Sequence, residues 1–107
     1  MNQKAVLEKL IVELNLTLTR PSMFMGETTV RGTQIYLSGM YSVLVLIGVV
    51  FTSDIRHKAI KIRGWESSST GAVADMQKHK LSEEQMVQEL LLIEIKMLEI
   101  VAAGLEA

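Results

Sequence analysis

The stretch SEEQMVQELLLIEIKMLEIVAAGL, residues 82–105, decides the fold. Ser82-Glu83-Glu84-Gln85 has the form of a capping box, in which the Ser hydroxyl and the Gln amide satisfy the first free amides of a helix. Its acidic first turn suits the positive end of the helix dipole. Met86, Leu90, Ile93, Met97 and Ile100 then form one apolar seam at helical spacing, and Val87, Leu91, Leu98, Val101 and Leu105 form a second beside it. Together the seams cover about half the circumference, wider than the usual stripe of roughly 100°. A helix of about 24 residues is roughly 36 Å long. A chain of this size has a gyration radius of only about 13 Å. The excess apolar surface therefore reads as a partner surface, most simply that of a two-fold homodimer. Its expected interface residues are Met86, Leu90, Leu91, Met97, Leu98 and Val101.

Working outward, Gln3–Leu16 reads as an amphipathic helix. Val6, Leu7, Leu10, Ile11 and Leu14 fall on one stripe, and Lys4, Glu8, Lys9 and Glu13 lie opposite. Pro21 requires it to end beforehand, near Asn15–Thr17. Arg20–Gly26 reads as a loop whose Met23, Phe24 and Met25 fold back on the core. Thr28 or Thr29 is a good N-cap for the next helix.

That next helix is expected over 29–54. Gly32–Ser53 is 22 residues without a charge, and the mean hydropathy of Ile35–Ser53 is within reach of a membrane span. A buried central helix explains it better. Gln34, Ser38 and Ser42 put a polar edge on its first half. The truly apolar part, Val43–Phe51, is shorter than half a bilayer. The N-terminal stretch is not a signal peptide, because charges interrupt every apolar run. A cytoplasmic location is expected, without membrane association.

The basic segment 55–80 is expected to be irregular or a short extended piece. Ile55, Ala59 and Ile62 fit a helix face, whereas Ile60, Lys61, Ile62 and Arg63 alternate as in a strand. Gly64 stops either one, and Glu66–Gly71 reads as a polar loop. Ala72–Gln77 suits a short helical turn. The expected class is thus all-α: three main helices, about 3–16, 29–54 and 82–105, around a Leu/Ile/Val/Met core in a single domain of residues 1–107.

Composition narrows the chemistry. The chain has 107 residues, 49% of them hydrophobic, and no Cys, which excludes disulfides, thiolate metal sites and Cys nucleophiles. The net charge is −1, but residues 55–80 carry +4 and residues 81–107 carry −5. The basic middle and the acidic end are expected to meet, within one chain or between two. Arg56, Lys58, Lys61 and Arg63 beside Trp65 are too few to argue for nucleic acid. Asp54 and His57 are i, i+3, but two ligands do not close a metal site. No nucleophile–base pair, metal set or cofactor motif is visible, so a non-catalytic protein without cofactors is expected. Glu94 lies in the middle of the wide apolar sector and needs a partner if buried. Arg20, Arg31 or the basic segment could supply one. Arg20, Arg31 and Glu94 are accordingly the candidates for a ligand pocket near the Arg20–Gly26 loop.

Arg20-Pro21-Ser22-Met23-Phe24-Met25-Gly26, followed by Leu37-Ser38-Gly39-Met40-Tyr41, resembles a loose group of small bacterial proteins. These carry an Arg-Pro-x-Met-(aromatic)-x-Gly loop after a first helix, leading into a Leu-x-Gly-x-(aromatic) helix. The resemblance implies a mainly helical protein of accessory or mobile gene type, some of whose relatives lie near toxin systems. It therefore implies an immunity- or adaptor-like role through protein contact, and adds no reaction. The heptapeptide also resembles a loop of the gyrase-type ATPase fold. Tyr36–Val50 lacks the Glu and Asn that this fold requires, so that reading is removed. Two expectations remain: an interaction protein, homodimeric or with another protein partner, and a small-ligand-binding protein.

Overall fold

The structure, a computed structural model, describes residues 2–66 and 71–105. All regular structure among them is α-helical: α1 (Gln3–Thr19), α2 (Pro21–Met25), α3 (Val30–Leu46), α4 (Ser53–Ile62), α5 (Gly71–Lys78) and α6 (Glu83–Gly104). The all-α class is as expected; the three-helix division is not.

Each long helix starts on a side-chain cap. Asn2 accepts from the Ala5 amide, Thr29 from Gly32 and Thr52 from Ile55. Ser82 and Gln85 form the reciprocal capping box at 3.1 and 2.9 Å. Pro21 ends α1 at Thr19, slightly later than expected, and itself opens α2, where its missing N–H costs nothing.

The helix expected over 29–54 breaks after Leu46. Gly48 adopts φ +82. Its amide donates to Val45 O at 3.1 Å, and the Val49 amide donates to Leu44 O at 3.0 Å. This is a Schellman turn, closed by an apolar contact within the cluster holding Leu44 and Val49. The same turn ends α4 at Gly64, with Trp65 donating to Ile60 O. It ends α5 at Lys80, a non-glycine residue at φ 58, with Leu81 donating to Met76 O.

The stop at Gly48 frees the chain to form α4. Residues 53–62 and 71–78 are helical, so most of the basic segment is neither irregular nor extended. The alternation of Ile60–Arg63 was misleading: Ala59 and Ile60 are buried, while Ile62 is exposed. Residues 67–70 of the expected polar loop lie outside the described residues.

α6, about 33 Å long by its helical rise, runs along a molecule whose longest extent is 41 Å. It serves two cores. Val87, Leu91, Ile95 and Leu98 pack with Leu7 and Leu14 of α1 and Met40 and Leu44 of α3. Met86, Ile93 and Met97 pack with Ala59 and Ile60 of α4 and Ala72 and Met76 of α5. Phe51 touches both clusters.

The residues expected at an interface pack against helices of their own chain. Leu91, Met97 and Leu98 are fully buried inside a single chain and Met86 nearly so; Leu90 and Val101 are half-buried. α4 and α5 supply the covering surface that a three-helix count lacks. The basic and acidic segments also meet within one chain, through Arg63 and Glu89 at 2.7 Å.

Candidate functional site

Glu94 continues the line Val87, Leu91, Leu98 along α6, so the helix carries it inward with them. It is only 4% exposed. Its Oε1 is buried and has no hydrogen-bond partner among the described residues. Burial pushes its carboxyl above the ordinary range, and Arg56 opposes that shift only in part. The expected ion pair is absent: among the described residues no basic group lies within contact of Glu94.

Glu94 lines a cavity of about 500 Å³ between α3, α4 and α6. α6 contributes Leu90 and Ile93 beside it, α4 contributes Arg56, and α3 contributes Leu37 and Tyr41 with Gln34 and Ser38. The polar edge of α3 is thus part of this wall. Arg56 is exposed, and its guanidinium lies 5.9 Å from the centre of the Tyr41 ring. Tyr41 also packs against Phe51, with ring centres 5.0 Å apart and the rings tilted by 56°. The Ser38 hydroxyl donates to Gln34 O at 2.8 Å. Such a set can bind a ligand by charge and hydrogen bonding.

The other two ligand candidates lie elsewhere. Arg20 is exposed at the junction of α1 and α2, and Arg31 is exposed in the first turn of α3; neither lines this cavity. The segment Arg20–Gly26, expected as a loop, holds the short helix α2. There Met25 packs on the core, while Met23 and Phe24 are exposed instead of folding back. Asp54 and His57 are both exposed. Among the described residues no group of three His, Asp or Glu side chains is placed to hold a metal ion.

A second feature is the outer face of α3. Ile35, Val43 and Leu46, spaced at i, i+8 and i+11, are exposed on one side of a helix without charge beyond Arg31. Val45 and, beyond the turn, Val50 add to the exposed apolar surface; Leu46 reaches 85% exposure. No helix among the described residues is long and apolar enough to cross a membrane.

Comparison with protein-family models, with curated proteins and with solved structures produced no match.

Proposed function

We propose that this is a non-catalytic protein that acts through protein–protein contact, with the outer face of α3 as its surface and a second copy of the chain as the first partner. The observation that carries this reading is the exposed row Ile35, Val43 and Leu46. Single exposed apolar residues are ordinary, but an uncharged apolar helix face on the order of several hundred Å² marks an interaction site. Lack of charge on this face suits self-association, since two identical charged faces would repel. The homodimer expected from α6 is thereby moved to α3. The bacterial accessory-gene resemblance of the 20–41 stretch fits an immunity- or adaptor-like role carried by such a contact.

Sedimentation equilibrium at micromolar concentration tests the reading. A dimer mass is expected for the unmodified chain. A monomer mass is expected for Leu46→Glu, which should remain folded because the side chain is exposed. A monomeric unmodified chain would refute self-association through α3.

A second reading, a small-ligand-binding protein, is favoured by the Glu94 cavity. It places the ligand between α3, α4 and α6 rather than at the Arg20–Gly26 loop.

A further inference from the structure

Glu94 sits in a line of hydrophobic residues and its carboxyl group lines the cavity, with Oε1 buried and without a hydrogen-bond partner among the described residues. A buried acceptor without a donor is a deficit that hydrocarbon walls cannot repair. A ligand carrying N–H donors can. At the same cavity Arg56 is in no ion pair among the described residues and rests over the Tyr41 ring. Its planar fork of donors is free to take a carboxylate. Leu37, Leu90 and Ile93 give the cavity an apolar surface as well. Its volume, about 500 Å³, is of the size that encloses small organic ligands.

These three features define one ligand chemistry. A simple amine would satisfy Glu94 but would be repelled by Arg56. A simple carboxylate would satisfy Arg56 but bring no donor to the Glu94 carboxyl group. We propose that the cavity binds a small zwitterion with an apolar body, such as a free apolar amino acid. Its ammonium meets Glu94, its carboxylate meets Arg56, and its side chain lies on Leu37, Leu90 and Ile93. The proposal rests on the ligand-binding reading of this cavity and is independent of self-association.

Three probes with the same hydrocarbon body separate the possibilities: L-phenylalanine, phenethylamine and 3-phenylpropionate. Each is titrated at pH 7 into the isotopically labelled full chain, followed by backbone-amide and methyl NMR. Phenylalanine should bind most tightly, with shifts concentrated at Leu37, Leu90, Ile93 and Glu94. Glu94→Gln should weaken phenylalanine and phenethylamine by about tenfold and leave 3-phenylpropionate unchanged. Arg56→Gln should abolish the preference for phenylalanine over phenethylamine. The ranking on the unmodified chain is decisive even if a variant folds poorly. Phenethylamine or 3-phenylpropionate binding as tightly as phenylalanine would overturn the zwitterion and leave a ligand site standing. No shift at these residues with any probe at millimolar concentration would overturn both.

Discussion

Arg63, at the end of α4, grips Glu89 of α6 with two parallel bonds: Nη2 donates to Oε2 at 2.7 Å and Nε to Oε1 at 3.2 Å. Trp65 Nε1 adds a third bond, to Oε1 at 2.8 Å. Burial by itself would raise the Glu89 carboxyl. The bonds from Arg63 and Trp65, with the charge of Arg63, outweigh it and hold the group below its ordinary value. One carboxylate thus ties the Schellman turn of α4 to the central helix.

Glu89→Gln should therefore destabilise the chain near neutral pH, by about 1 kcal/mol because the pair is partly open to solvent. Glu89 has a depressed folded pKa, so its contribution is complete above the ordinary value of 4.5. It is lost as pH falls through the folded value. Urea unfolding of both proteins at neutral pH and at successively more acidic pH checks this. A gap that persists unchanged at the acidic end would contradict it.

Glu94 should behave oppositely. Its folded pKa is raised, so the folded chain holds the proton more tightly and loses stability as pH rises from 4.5 through the raised value. Glu94→Leu places hydrocarbon in the line of Val87, Leu91 and Leu98. It should stabilise the chain at pH 8 by about 1–3 kcal/mol, the typical cost of an unsatisfied buried polar group. The gain should shrink at pH 4. Thermal melts at the two pH values measure it, and a less stable variant at pH 8 would count against the orphan carboxyl.

Two glycines of α3 should respond in opposite directions. A Cβ at Gly32 would lie 2.6 Å from the Glu27 carbonyl oxygen, a backbone atom that cannot step aside cheaply. Gly32→Ala should cost about 1–3 kcal/mol. A Cβ at Gly39 would meet nothing within 4 Å. Gly39→Ala should stabilise by about 0.5–1 kcal/mol through helix propensity alone. Comparing the two melting curves is sufficient, since similar shifts would deny the close approach at Gly32.

The start of α6 serves two helices. Ser82 caps α6 itself, and Glu83 Oε1 accepts the Val30 amide at 2.7 Å, in the first turn of α3. Ser82→Ala should cost about 1 kcal/mol. Glu83→Ala should also destabilise, and hydrogen exchange should locate its effect at the Val30 amide across the structure. Protection of Val30 unaltered by Glu83→Ala would refute the second role.

Much of this architecture was legible from local patterns. The capping box at Ser82, the cap at Thr29, the limit set by Pro21 and the inward position of Glu94 all follow from short-range chemistry. The break at Gly48 is not legible in this way, because a lone glycine between Ile47 and Val49 reads as part of an apolar run. Its meaning lies in the pairing of Leu44 with Val49 across the turn. Without that break α4 stays hidden, and with α4 hidden the wide apolar sector of α6 points to a second chain. The width of that sector is a local property of α6; what covers it depends on where Ala59, Ile60 and Met76 return in space. Arg56 was visible only as one of several basic residues, because its place at the cavity depends on how α4 packs, which no spacing rule conveys.

The common wall of both cores, α6, follows all the helices that pack against it. During synthesis α1, α3 and α4 leave the ribosome with Leu7, Leu14, Leu44 and Ile60 facing water, because the residues that cover them have not yet been translated. Neither core can close until residues 83–104 have emerged. Burial in this chain is therefore a late, joint event, and its nascent form is one that a holding chaperone would recognise.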